Sequence, residues 1–127
     1  MIKVLVVEDH PDMRELLTWD VKLMGYVAIP AMHASEAVEK AIKEQPDLIL
    51  MDIMLPGMDG REAIRILRSN LATKHIPILA ATALFRESDL KSCLEAGCNG
   101  IIVKPFTFKE LQQKIHEIIS IPRVAGQ

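Results

Sequence analysis

The sequence predicts an α/β domain whose parallel sheet is covered by helices on both faces. One pattern and one topological rule carry that prediction. Short apolar runs rich in Val, Ile and Leu alternate five times with longer amphipathic stretches. Strict alternation of this kind makes neighbouring strands parallel, and right-handed crossovers then leave few topologies. In open sheets of this type, ligands bind outside the carboxyl ends of the strands, near the point where strand order reverses. Those ends are where chemistry belongs.

Each element has its own signal. Ile2 to Val7 reads as a buried strand. His10-Pro11 opens a helix, because Pro suits the first helical position. Met13, Leu16, Leu17, Val21 and Met24 form its apolar stripe, and Gly25 stops it. Tyr26 to Pro30 is a weak second strand. A helix from about Ser35 to Glu44 turns Val38, Ala41 and Ile42 inward and ends before Pro46. Asp47 to Ile53 is the third and most hydrophobic strand, and Leu55 to Gly60 is a loop by its Pro and Gly content. Asp59 and Glu62 have capping-box spacing at the head of a helix that runs to about Leu71. Ile76 to Thr82 is the fourth strand. The helix after it, from about Ser88 to Ala96, carries Leu90, Cys93 and Leu94 and closes at Gly97. Asn99 to Val103 is the fifth strand. Thr107 and Glu110 make a second capping box, and Phe108, Leu111, Ile115, Ile118 and Ile119 line the last helix.

Composition narrows the function. At 127 residues the chain is one domain, read here as 1–121 with a short C-terminal tail at 122–127. Half the residues are hydrophobic and a quarter charged, the balance of an ordinary soluble protein. A net charge of −2 gives no electrostatic case for nucleic acid. The apolar runs are too short to span a membrane, and the N-terminus lacks the long apolar region of a signal peptide. Cys93 and Cys98 have no second Cys pair and read as reduced thiols of a cytoplasmic protein.

The strand ends carry the chemistry. The first ends in Glu8-Asp9, the third in Asp52, the fourth at Thr82 and the fifth at Lys104. Neighbouring strands lie about 4.8 Å apart, so three carboxylates on adjacent ends would crowd together. Such acids cannot all stay ionised without compensation: one holds a proton, or a cation sits between them. A few hard oxygen ligands with room for water suit Mg²⁺ better than zinc or a calcium cage. Taken singly, Glu8-Asp9 is ordinary for a strand end, Thr82 is a natural strand residue, and Lys104 reads as a solvated lysine. Asp52 is different. It follows Leu48, Ile49, Leu50 and Met51 and precedes Ile53, and a carboxylate in that setting costs energy unless it is paired or metal-bound.

With these residues in view, the chain resembles the receiver domain of two-component response regulators. The segments VVEDH, LILMDIMLPGMDG, AATAL and AGCNGIIVKPF carry the resemblance, in order, from Ile2 to about Ile119. It implies a flavodoxin-like (βα)5 sandwich of strand order 2-1-3-4-5. It also implies a phosphorylation switch rather than an enzyme with a separate substrate. Asp52 is then the phosphoacceptor, Asp9 a direct Mg²⁺ ligand, Glu8 a ligand through water, and the Met54 backbone carbonyl a further ligand. Thr82 supplies the switch hydroxyl, Ala83 a backbone N–H, and Lys104 the partner of Asp52 or its phosphate, before a cis bond to Pro105. The implied partners are a histidine kinase or histidine phosphotransfer protein and a downstream protein target, with no direct nucleic-acid or membrane contact. The docking face is the fourth helix, fifth strand and fifth helix.

Two departures from the family pattern stand out. Ile101 occupies a position where many members carry an aromatic ring, and Met54 and Leu84 are apolar where a polar side chain could orient a hydrolytic water. Two rival classes fit less well. An aspartyl phosphohydrolase places a second Asp two residues after its nucleophile, and here that residue is Met54. A flavin or nucleotide module needs a Gly- or Ser-rich first loop, whereas EDHPD would repel a phosphate. The Met1 start and the short tail favour a stand-alone regulator over a receiver within a longer chain.

Overall fold

A computed structural model describes residues 1–55, 57–83 and 86–121, so Pro56, Leu84, Phe85 and the 122–127 tail lie outside the described residues. Five strands alternate with five helices: β1 Lys3–Val7, α1 Pro11–Leu23, β2 Val27–Ala31, α2 Ala34–Glu44, β3 Leu48–Asp52, α3 Gly60–Ser69, β4 Ile78–Thr82, α4 Glu87–Ala96, β5 Gly100–Val103 and α5 Phe108–Ile119. All pairings are parallel, in the order β2-β1-β3-β4-β5. Fold class and strand order are as predicted. Boundaries moved by a residue or two, as fraying ends allow.

Alternation along the strands divides the core in two. Leu5, Val7, Ile49, Met51, Ile78 and Ala80 face α2, α3 and α4. Val4, Val6, Leu48, Leu50, Leu79 and Ala81 face α1 and α5. Both faces of the central strands are therefore dry, which is why β3 and β4 read as unbroken apolar runs.

The helix faces are narrower than the predicted stripes. Leu16, Ile42 and Leu94 are exposed, each one residue, or about 100°, around the helix from the buried Leu17, Ala41 and Cys93. α2 and α4 bury Ala34, Ala37, Ala41, Cys93 and Ala96. Such small side chains let a helix lie close to the sheet and push larger neighbours to its flanks. Met13 is exposed too, and in that turn Arg14 points inward instead, its guanidinium donating to the carbonyls of Glu8 and Asp9. Phe108, at the start of α5, is also exposed.

Caps follow their sequence signals with one change. Thr107 and Glu110 form the predicted capping box. Asp59 caps α3 through the backbone N–H of Arg61 at 2.8 Å, and the Arg61 side chain grips its carboxylate, so the arrangement differs from the predicted Asp59–Glu62 box. Among the described residues, no helix is long and apolar enough to cross a membrane.

Candidate functional site at the carboxyl ends of the strands

Register builds the site. Val7 lies beside Met51, so the next residues, Glu8 and Asp52, come level at the top of β1 and β3. Asp52 pairs with Ala81 and Thr82 with Val103, which places Thr82 and Lys104 at the same edge of the sheet. The Lys104 backbone N–H donates to the Thr82 carbonyl at 2.8 Å, and the Lys104–Pro105 bond is cis, as the family resemblance implied.

The side chains converge. Ligand atoms of Glu8, Asp9 and Asp52 lie within 4.8 Å of one another, the grouping of this kind found among the described residues. Lys104 Nζ stands 3.2 Å from Glu8 Oε1 and 3.4 Å from Asp52 Oδ1. The Met54 backbone N–H donates to Asp52 Oδ1 at 3.1 Å, and that of His10 to Glu8 Oε2 at 3.2 Å. Glu8 and Asp52 are only 3% and 5% exposed, whereas Lys104 is half-buried. Three acids thus face one ammonium.

Burial and crowding both show on Glu8. Burial raises its pKa above the ordinary carboxylate value, and the hydrogen bond and charge of Asp52 raise it further. The His10 N–H and Lys104 oppose the rise without cancelling it. The donor set is hard oxygen, crowded and under-neutralised, so it fits a small divalent cation.

All the sequence-predicted side chains of the site come to the same end of the sheet. Thr82 is fully buried at the end of β4, and Ala83 follows it, exposed. Met54 lines a groove of about 590 Å³ together with Asp9, Ile53, Leu55, Gly57, Met58 and Asp59. Ile101 is partly buried against the α2–α3–α4 side of the core. Leu84 lies outside the described residues. Cys93 and Cys98 are free, and burial pushes both thiols up, Cys98 to about 11, so they stay protonated near neutral pH.

Three supports were not predicted. Arg14 ties α1 to the acidic segment. Arg61 holds the carboxylate of Asp59, which lines the groove beside Asp9. Gly60 is the third: its N–H donates to the Ile53 carbonyl at 2.8 Å, and a Cβ there would lie 2.5 Å from the Asp52 carbonyl oxygen and 2.6 Å from the Ile53 Cα. Both atoms are backbone and cannot swing aside. Gly60→Ala is expected to cost about 3 kcal/mol by forcing α3 off the end of β3. Urea unfolding should show a lower midpoint at an unchanged slope.

Known proteins share this fold. The pattern of the response regulator receiver domain matches residues 4–116. A putative response regulator from Chloroflexus aurantiacus superposes with a TM-score of 0.89 at 32% identity, covering 94% of this chain and 98% of that one. The receiver domain of a sensor histidine kinase from Pseudomonas aeruginosa, with a magnesium ion coordinated in its active site cleft, gives a TM-score of 0.87 at 33% identity over 94% of this chain and 98% of that one. The alkaline phosphatase synthesis transcriptional regulatory protein PhoP of Bacillus subtilis is 37% identical over 98% of this chain and 51% of its own length. The chain spans about half the length of the curated relatives it matches. Those relatives are transcriptional regulators, so they lend no support to the expectation that nucleic acid plays no part. Sequence pattern, fold and acidic cluster agree, and the chain belongs to the response regulator receiver domain family.

Proposed function

We propose that the domain accepts a phosphoryl group on Asp52 from a phosphohistidine of a histidine kinase or a histidine phosphotransfer protein. The observation that carries this reading is the Asp52 carboxylate, buried at a strand end, 3.4 Å from the Lys104 ammonium and within the acidic cluster. In the transfer, the P–N bond to the donor imidazole breaks as a P–O bond to Asp52 forms. The imidazole leaves with the bonding electron pair.

Transfer of this kind depends on positioning and on neutralising charge at the phosphoryl oxygens. Mg²⁺ held by Asp9, Asp52 and the Met54 backbone carbonyl, with Glu8 acting through water, would supply part of that neutralisation. Lys104 would supply more through its ammonium, and the Thr82 hydroxyl and Ala83 N–H would reach the remaining oxygens. Water later hydrolyses the acyl phosphate. The apolar Met54 at the mouth of the site offers no group to orient that water, which favours a longer-lived phosphate. Engagement of Thr82 shifts the loop after β4 and then α4, altering the α4–β5–α5 face that a downstream protein reads. The domain is then a switch, whether it stands alone or serves a longer cytoplasmic protein.

Incubation with acetyl phosphate tests this directly. With Mg²⁺ present, the protein should gain one phosphoryl group that hydroxylamine removes, as it does acyl phosphates, and EDTA should prevent the gain. A hydroxylamine-resistant label, or labelling indifferent to EDTA, would sink the proposal.

A further inference from the structure

Arg61 stands outside the acidic cluster, yet it joins the loop after Asp52 to α4. Its Nε and Nη2 reach Asp59 Oδ1 and Oδ2 at 3.0 and 2.7 Å. Its backbone N–H reaches Oδ1 at 2.8 Å. The remaining arm, Nη1, donates across the gap between helices to Ser92 Oγ on α4 at 3.1 Å. The guanidinium holds the Asp59 carboxyl below the usual carboxylate range, so this pair stays ionised near neutral pH.

Both ends of the bridge are placed to matter. Asp59 lines the same groove as Asp9 and Met54, and Gly60 beside it is pinned to the Ile53 carbonyl, directly after Asp52. At the other end, α4 is clamped at its C-cap, where Arg68 Nε donates to the Gly97 carbonyl at 2.8 Å, but is lightly held in its first turn. Its N-cap residue, Arg86, makes no side-chain cap bond, whereas the N-caps of the other four helices all do. The Arg86–Asp89 pair in its first turn is solvent-exposed on the arginine side and restrains little. Ile101, on β5, offers no ring to lock or release the helix.

We propose that Arg61 is a positioning residue that links the loop after Asp52 to α4 and holds α4 in its resting place through the Ser92 hydroxyl. A guanidinium is a rigid planar fork, so a shift of Asp59 swings Nη1 with it. Rearrangement of the metal-side loop then pulls on, or releases, α4. The linkage rests on the phosphorylation reading above, because a phosphoryl group on Asp52 is what moves that loop.

Hydrogen exchange on the full chain, with and without Mg²⁺ and beryllofluoride as the phosphoryl mimic, tests the linkage. In the resting protein, Ser92→Ala and Arg61→Lys should each speed exchange across α4 by about fivefold, the effect of losing one hydrogen bond, while α1 and α5 keep the parent rates. The α4 response to beryllofluoride should fall by about half or more in both variants. Ser92→Thr, which keeps the hydroxyl, should restore the parent behaviour. A parent protein blind to Mg²⁺ and beryllofluoride would sink the phosphorylation reading and the linkage with it. If the parent responds and both variants match it at rest and in response, the linkage alone is wrong. Equal acceleration in every helix would also overturn it, as a sign of general destabilisation.

Discussion

Asp52→Asn should abolish phosphorylation while leaving the fold in place. The amide is close to the carboxylate in size, and its oxygen can still accept the Met54 N–H that now meets Asp52 Oδ1 at 3.1 Å. The packing of Gly60 against the backbone of Asp52 and Ile53 does not involve the side chain. What changes is chemical: an amide oxygen is a poor nucleophile and cannot form the acyl phosphate. Loss of a covalent nucleophile removes the whole reaction path, so labelling by acetyl phosphate should drop more than about a thousandfold. The Lys104 ammonium keeps Glu8 as a partner at 3.2 Å, so the variant leaves no buried charge stranded. Labelling should be read by intact mass and the fold by circular dichroism on the same sample. Parent-rate labelling of a folded Asp52→Asn protein would place the acceptor elsewhere.

Much of this architecture was legible in the chain because two simple physical signals coincide. Buried parallel strands need apolar residues on both faces, so β1, β3 and β4 announce themselves as runs such as Leu48–Met51. Acids and a lysine that follow such runs must then share one end of the sheet, and Glu8, Asp9, Asp52 and Lys104 do. Helix faces were legible only in part. Period 3.6 locates an apolar stripe, but it cannot tell how closely the helix lies on the sheet. Ala37 and Ala41 therefore take the inward face that Ile42 was expected to share, and Leu94 yields to Cys93 and Ala96. The supports of the site were hidden for another reason. Arg14, Gly60 and Arg61 act on atoms that only the folded chain brings near, most plainly in the Arg61–Ser92 bond across 31 residues. A glycine right after Asp59 was a visible hint, since the chain there must pass close under the end of β3.

The acidic cluster should make stability depend jointly on pH and Mg²⁺, with Glu8 as the responsive group. Its folded-state pKa is raised, first by burial and then by Asp52. A raised carboxyl pKa means that the native protein holds this proton more tightly than the unfolded chain does. The stabilising contribution is complete below the unfolded value and is lost as pH climbs through the folded one. Metal-free protein should therefore shed stability from this group as pH rises above the ordinary carboxylate range. Added Mg²⁺ should do the reverse. Binding wants the ionised cluster, so the metal must displace a proton at low pH and meets less competition as pH rises. At a hundred times its Kd, Mg²⁺ should add about 2.7 kcal/mol to the unfolding free energy by mass action. The gain should be clearly smaller at about pH 5 than at about pH 7.5, because the apparent Kd is weaker there. Glu8→Gln keeps the shape and removes the charge. That variant should be more stable than the parent at neutral pH without metal, should show a flatter pH profile, and should gain less from Mg²⁺. Urea unfolding at both pH values, with Mg²⁺ and with EDTA, reads all three. A Glu8→Gln protein with the parent's pH profile, or a parent gaining as much from Mg²⁺ in acid as at neutrality, would mean that Glu8 is not the group that links proton and metal.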